Sequence, residues 1–131
     1  QVADIVSRCL EAVFGEDAYQ FKIKFEQKRG KTEAVLLLEK DGTELSPLDA
    51  VGGGVVDVIS FALRLACLLL TRPVLRRLLV LDESFKHLSR QYHPRVQRLL
   101  ETLCKEFDLQ IILITHSEAL LGGKIIEIDK S

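Results

Sequence analysis

Methionine and tryptophan are absent from this chain of 131 residues, and aromatic residues make up only 6% of it. A complete translated chain would begin with methionine, whereas this one begins with Gln1, so we expect a fragment of a longer protein. Charge of one sign is also missing, since 18 Lys and Arg side chains oppose 19 Asp and Glu side chains. The net charge of −1 excludes a global positive field that would recruit nucleic acid, so any DNA contact must be local.

Cysteines are few and widely spaced. The chain has three, an odd number, and no C-x-x-C pair that could chelate a metal. They are therefore predicted to be buried free thiols in a reducing compartment: Cys9, Cys67 and Cys104.

No uninterrupted hydrophobic run is long enough to predict a membrane span. The longest apolar stretch, residues 55–70, is broken by Asp57 and Arg64, and no charged-then-apolar leader stands at the start. We expect Arg64 to be an ion-pair partner at the edge of the core. A hydrophobic content of 47% supports one globular domain with a real core. These features predict a soluble, cytoplasmic protein with no membrane partner.

Hydrophobic periodicity predicts a helix and an antiparallel hairpin in the first third of the chain. Apolar side chains over residues 2–14 recur with helical spacing. Residues 19–25 and 32–39 alternate as strands do, and turns are expected at Gly30 and at Asp41-Gly42. The sequence Gly30-Lys31-Thr32 imitates the end of a phosphate-binding P-loop. However, a strand follows it where that motif requires a helix, and we predict a basic hairpin turn.

The second half alternates helices with strands, which predicts an α/β fold with a mainly parallel sheet. Continuous apolar runs such as Leu78 to Leu81 are typical of parallel strands that are buried on both faces. The predicted order is a helix over 55–70, a strand over 78–81, a helix over 94–107 and strands over 111–114 and 124–128.

Two strand ends carry the side chains with the clearest chemistry. Asp82 and Glu83 follow the first parallel strand, and His116 follows the second between Thr115 and Ser117. Open α/β sheets bind ligands beyond the carboxyl ends of their strands, so we expect all three in one crevice. Asp82 could hold Mg²⁺, Glu83 could polarise a water and His116 could contact a phosphate. The set predicts part of a nucleotide hydrolase; the alternatives are a solvated turn and a structural histidine.

Three glycines precede the long apolar helix. Gly52, Gly53 and Gly54 could offer free backbone N–H groups to an anion at a helix N-terminus, or could simply form a flexible turn. Asp57, expected in the first helical turn, opposes anion binding there. His87 and His93, in the loop after the carboxylates, are predicted to be surface residues.

In this order and spacing, the motifs resemble the C-terminal half of an ABC-type ATPase head. The resemblance is to the SMC-like and RecF-like branch of DNA repair and recombination, which includes phage-encoded relatives. It covers about residues 45–129 and predicts an α/β, P-loop NTPase-like lobe. Residues 1–44 would be the helix and hairpin where the chain re-enters the head, and residues 45–131 would carry the motifs.

The resemblance implies a role for each motif. The glycines would be the signature motif, which acts on the nucleotide of an opposing head; serine usually stands in place of Gly52. Asp82 and Glu83 would be the Walker B pair, with Asp82 holding Mg²⁺. Residues 84–89, which end in Leu88 and Ser89, would be the D-loop. His116 would be the switch histidine.

The same resemblance implies partners and a nucleotide. The P-loop would lie in the protein's own N-terminal lobe, so this chain alone should not hydrolyse ATP. Two heads would sandwich ATP as a homodimer coupled to DNA binding or processing, and a nuclease subunit is a further expected partner.

Two alternatives remain open from the sequence. One is a non-catalytic dimerisation or regulatory module that has kept the fold. The other is a Mg²⁺-dependent nuclease or phosphatase, which would need a third carboxylate near Asp82 and Glu83. The candidates for that carboxylate are Asp49, Asp57 and Asp129.

Overall fold

The computed structural model describes residues 1–46 and 52–128. It contains three α-helices and five strands in this part of the chain. The fold class predicted from the sequence is confirmed, because a parallel strand pair flanked by helices follows an antiparallel sheet. The elements are α1 (Val2–Phe14), β1 (Gln20–Lys28), β2 (Lys31–Lys40), β3 (Thr43–Leu45), α2 (Gly53–Leu70), β4 (Leu78–Asp82), α3 (His93–Phe107) and β5 (Gln110–Ile114).

The first three strands form the antiparallel meander β1-β2-β3. Both tight turns place their two central residues in the left-handed region, with φ of 53° at Arg29 and 76° at Gly30 in the first of them. This backbone matches the twist of the flanking strands. The Gly30-Lys31-Thr32 sequence is therefore a hairpin turn, as predicted.

Helix α1 joins the meander to the rest of the molecule. It packs against α2, β1 and α3, with Val6, Leu10 and Val13 fully buried on one face. Ser7 fixes the helix to β1, because its Oγ accepts a hydrogen bond from the Phe21 backbone N at 2.9 Å. The helical spacing of its apolar residues thus corresponds to a real buried face.

Strands β4 and β5 run parallel in register, with Leu81 opposite Leu113 and Asp82 opposite Ile114. The ladder continues one residue further, since the Glu83 backbone N donates to the Ile114 carbonyl at 2.9 Å. The carboxyl ends of the two strands therefore meet at one edge. Beneath them the core includes Leu79 and Leu81.

One face of this parallel pair is exposed, which corrects the prediction that both faces are buried. Val80, Ile112 and Ile114 are each between 45% and 49% exposed, while the intervening residues turn toward the core. The continuous apolar pattern predicts two buried faces. Periodicity does not show which neighbouring elements are present to cover each face.

The strand predicted over residues 124–128 is wrong. Those residues form no regular secondary structure, and Ile125, Ile126 and Ile128 are exposed. A strand requires a hydrogen-bonded neighbour, and no described strand pairs with this segment.

Helix α2 differs from its prediction in three details. It begins at Gly53 with Gly52 as its N-cap, so Asp57 lies in the second turn rather than the first. Cys67 is exposed rather than buried, whereas Cys9 is buried and Cys104 is half-buried. Arg64 donates to the Val80 carbonyl at 2.8 Å instead of forming an ion pair in the described part of the chain.

By length and composition alone, α2 could cross a membrane. Its packing gives a simpler account, because it lies against α1 and buries a face that includes Phe61, Leu65 and Leu69. Apolar core helices have the same composition, so this helix is no evidence for a membrane span.

Candidate functional site

Glu83 occupies an unusual backbone position at the tip of β4. Its φ is +51°, in the left-handed region that a side chain other than glycine, asparagine or aspartate adopts rarely. The chain reverses direction there, and the Lys86 backbone N donates to the Glu83 carbonyl at 3.3 Å. The strained turn aims the carboxylate into a pocket rather than along the sheet face.

The Glu83 carboxylate is incompletely satisfied. Its Oε1 is buried and has no hydrogen-bond partner among the described residues, although the side chain as a whole retains 31% exposure. The Nε2 atom of His116 lies 3.4 Å from this oxygen, without hydrogen-bond geometry. A buried oxygen without a partner is costly, so such an atom needs an explanation, and one explanation is a water or ligand at that point.

His116 extends into solvent from the tip of β5, with its side chain 90% exposed. The backbone beside it is held more firmly than the ring, because the Ser117 backbone N donates to Thr115 Oγ1 at 3.0 Å. The structure thus brings Glu83 and His116 together at adjacent strand ends, where the sequence expected them.

A cavity of about 200 Å³ lies at this edge. Asp82 does not line it, because it ends β4 on the exposed side of the strand's alternation, next to Val80. Asp82 is therefore separated from the pocket into which Glu83 turns, and its predicted metal role stays a prediction. The pocket wall contains Glu83, Ser84, Phe85, Lys86, Leu88, Arg90, His93, Leu113, Thr115, His116, Ser117 and Leu120.

The three glycines lie where α2 meets the segment after β4. A Cβ on Gly53 would come within 2.8 Å of the His87 Cβ, and one on Gly54 within 3.1 Å of the Leu88 Cα. A Cβ on Gly52 would meet nothing within 4 Å. Close packing therefore explains two of the glycines. This explanation differs from both the flexible-turn and the anion-site interpretation.

A hydrogen-bonded pair reinforces the same contact. Asp57 on α2 accepts from the His87 backbone N at 2.8 Å, and its other oxygen is 3.3 Å from His87 Nδ1. His87 is half-exposed, in keeping with its predicted surface location, while Asp57 retains only 15% exposure. The start of α2 and the loop after β4 are thus held together as one unit.

His93 was predicted to be a surface residue, and this is wrong: it is 6% exposed. It is the first residue of α3 and shares the apolar face with Val96, Leu100 and Leu103. That helical spacing was the signal available in the sequence. It was missed because the predicted helix began one residue later, at Pro94.

Comparisons with known proteins give two independent likenesses. No protein-family model matches the chain. A stretch of 62 residues, 47% of the chain, is 36% identical to the thiamine import ATP-binding protein ThiQ of Haemophilus influenzae. The matched stretch amounts to only 27% of that relative.

Solved structures resemble the whole chain. A structure from work on the ATP-driven dimerization and DNA-stimulated activation of SMC ATPases matches 99% of the chain at a TM-score of 0.73 and 17% identity, and 77% of that chain is covered. The chain therefore has the fold of the part of these SMC structures that it covers. The head domain of Thermotoga maritima SMC matches 91% of the chain at a TM-score of 0.62 and 22% identity, with 38% of that chain covered. An SMC head bound to the C-winged helix domain of ScpA gives a TM-score of 0.66 at 18% identity, over 91% of this chain and 35% of that one.

The carboxylates at the strand ends could hold a magnesium ion only with ligands from elsewhere. Among residues 1–46 and 52–128 no group of three His, Cys, Asp or Glu side chains could hold a metal. Mg²⁺ is commonly bound by one or two carboxylates plus the phosphates of a nucleotide, and a strand-tip carboxylate such as Asp82 suits that arrangement. Of the candidate third carboxylates, Asp57 is engaged with His87; Asp49 and Asp129 lie outside the described residues.

Proposed function

We propose that this chain is the C-terminal lobe of the ATP-hydrolysing head of an SMC-like, ABC-type ATPase. The observation that carries the proposal is the buried Glu83 oxygen without a hydrogen-bond partner, 3.4 Å from His116 Nε2 at the tips of two paired parallel strands. A general base must be free to accept a proton and lie within reach of its substrate. The likeness to SMC head structures and to an ABC ATP-binding protein supports the same assignment.

In this proposal three residues at the strand ends have separate roles. Glu83 orients the attacking water and accepts its proton, and His116 donates a hydrogen bond to the terminal phosphate. Asp82, outside the pocket, would hold Mg²⁺ together with the phosphates, and the ion would neutralise their developing charge. The proposed nucleotide is therefore ATP with Mg²⁺, bound at the carboxyl ends of the strands.

The chain requires a second lobe for this chemistry. Among the described residues no Gly-rich loop joins a strand to a helix in the P-loop manner, and Gly30-Lys31-Thr32 is a hairpin turn. The exposed apolar face of Val80, Ile112 and Ile114 supports an N-terminal, phosphate-binding lobe as the part that covers this face. The lobe described here should therefore not hydrolyse ATP by itself.

Assembly and biological role go further beyond the geometry. We propose that two heads form a homodimer around ATP, with Gly52, Gly53 and Gly54 facing the nucleotide of the opposing head and the D-loop of Leu88 and Ser89 between the two sites. ATP-driven dimerisation would be coupled to DNA binding or processing in repair or recombination, with a nuclease subunit as a candidate partner and a phage as a candidate source. The cytoplasm is the proposed location.

The second candidate is a non-catalytic dimerisation module. One observation favours it: Gly53 and Gly54 are explained by close packing against His87 and Leu88, with no nucleotide required. The glycine motif is therefore no evidence for the enzymatic candidate. The carboxylate and histidine at the strand tips distinguish the two candidates.

The test uses the protein that carries both lobes. Glu83→Gln should lower kcat by a factor of at least about one hundred, because the amide cannot accept a proton, while ATP binding persists and the ATP-bound dimer accumulates. Turnover is measured by phosphate release and dimerisation by light scattering. Glu118→Gln is the matched control, since it makes the same change at an exposed glutamate outside the pocket. Unchanged turnover in Glu83→Gln would reject Glu83 as the base, whereas no ATP hydrolysis by the wild-type protein with both lobes would favour the second candidate.

A further inference from the structure

The buried histidine at the start of α3 joins two loops of the site. The Nε2 atom of His93 is 3.0 Å from the Leu88 carbonyl oxygen, and its Nδ1 atom is 2.6 Å from the Ser117 hydroxyl oxygen. Leu88 belongs to the loop after β4, and Ser117 to the turn after β5. These two loops carry the proposed D-loop and the proposed switch histidine, and His93 is a direct polar link between them.

The partners of the ring decide its tautomer. A carbonyl oxygen can only accept, so Nε2 must carry a proton and donate to Leu88. In the neutral ring Nδ1 is then an acceptor, and the Ser117 hydroxyl donates to it. For the neutral ring, this hydrogen-bond pattern therefore predicts the Nε2–H tautomer of His93.

The link ends next to His116. Ser117 is fixed by its hydroxyl at His93, by its backbone N at Thr115 and by its carbonyl, which accepts from the Leu120 backbone N at 3.2 Å. The His116 ring is 90% exposed and gains little from packing. Its position over Glu83 must therefore be set mainly by the backbone on either side of it.

We propose that His93 is a positioning residue that holds the His116 turn in register with the loop after β4 by bridging Ser117 and the Leu88 carbonyl. The significance of this link for ATP hydrolysis rests on the proposed function, whereas the bridge itself does not.

Two substitutions separate the two hydrogen bonds of the bridge. His93→Asn retains a polar atom near the Nδ1 position and can still accept from Ser117. His93→Gln retains a donor near the Nε2 position and can still reach the Leu88 carbonyl. The position of His116 depends on the hydrogen bond between His93 and Ser117. We therefore expect His93→Gln to disturb His116 more than His93→Asn does.

The first experiment needs no ATPase activity. In the chain described here, only three histidines contribute ring nitrogen signals to a ¹⁵N NMR spectrum. We expect His93 to show a protonated Nε2 and an unprotonated Nδ1, and the ring signals of His116 to shift in His93→Gln. His87→Gln, which removes a histidine bonded to Asp57 rather than to Ser117, should leave the His116 signals in place. Rapid exchange between tautomers of His93, or unmoved His116 signals in His93→Gln, would overturn the proposal.

The second experiment measures hydrolysis in the protein with both lobes. His93→Gln and Ser117→Ala should each lower kcat about ten- to a hundred-fold, because His116 is displaced, while KM for ATP changes less than about two-fold. The double variant should lose no more than either single variant, since both remove the same link. Additive losses, or an effect mainly on KM, would contradict a positioning role.

The two experiments also separate failure of the bridge from failure of the proposed function. If the wild-type protein with both lobes does not hydrolyse ATP, the proposed function fails, and the NMR experiment still decides whether His93 positions His116. Thermal melts of each variant show whether the fold is retained. If the His93→Gln variant is destabilised, the Ser117→Ala variant is used in its place. It removes the same hydrogen bond, but from the less buried partner.

Discussion

Replacing Gly53 by alanine tests whether the start of α2 must lie against the loop after β4. In most helices this substitution stabilises the fold, because glycine is less favourable than alanine by about 1 kcal/mol. Here the new Cβ would be 2.8 Å from the His87 Cβ and 3.1 Å from its Cγ. Real Cβ atoms do not approach so closely, so the helix or the loop must shift.

The geometry decides which effect is larger. The His87 Cβ is attached directly to the backbone, and that backbone is tied to Asp57 by a 2.8 Å hydrogen bond. The neighbouring Leu88 is buried, so the loop cannot move without disturbing the core. Overpacking of this kind costs about 1–3 kcal/mol, and the fixed loop places it in the upper part of that range. The net effect should be a loss of about 1–2 kcal/mol, or a fall in Tm of roughly 3–10 °C for a chain of this size.

Thermal and urea unfolding of the Gly53→Ala variant measure this loss. Gly52→Ser is the matched control at the preceding position, where a Cβ meets nothing within 4 Å. Serine is favoured over glycine at an N-cap by a few tenths of a kcal/mol, so Gly52→Ser should melt at or slightly above the wild type. A Gly53→Ala variant that is as stable as the wild type would show that the close approach is not a constraint and would refute the packing account of the glycines.

Two further predictions concern groups far from the site. Burial raises the pKa of the Cys9 thiol to about 12, so alkylation followed by mass spectrometry should modify the exposed Cys67 in the folded chain and Cys9 only after unfolding; equal rates at both would contradict the burial of Cys9. The hydrogen bond from Arg8 lowers the pKa of Glu106, so the ionised carboxylate stabilises the fold above the ordinary glutamate pKa, and that contribution is lost as the pH falls through the lowered value. Urea unfolding should therefore show the wild type losing its advantage over Glu106→Gln on acidification, and an advantage independent of pH would oppose this assignment.

Local pattern was sufficient for most elements of the fold. The i, i+3, i+4, i+7 spacing of α1 and the alternation of β1 and β2 each reflect one buried face, and the structure has these elements within a few residues of their predicted bounds. Pattern failed at residues 124–128, where apolar residues with strand character lie exposed. A strand depends on its neighbour, and the identity of a neighbour is not encoded in the segment itself.

The site was predictable to a similar degree and for a similar reason. Strand ends could be located from sequence, so the meeting of Glu83 with His116 was accessible. Two features depend on tertiary packing and could not be predicted from the sequence. They are the separation of Asp82 from the pocket and the burial of His93. The left-handed backbone conformation at Glu83 separates the two adjacent carboxylates. Two consecutive acidic residues do not predict such a conformation.

The incorrect prediction for β4 and β5 identifies an exposed apolar surface on the sheet. Their apolar residues are continuous, yet the described residues cover one face and leave Val80, Ile112 and Ile114 near half exposure. Scattered apolar residues are normal on a surface, whereas neighbouring ones on paired strands form a patch. This patch is the surface on which the proposed second lobe would pack.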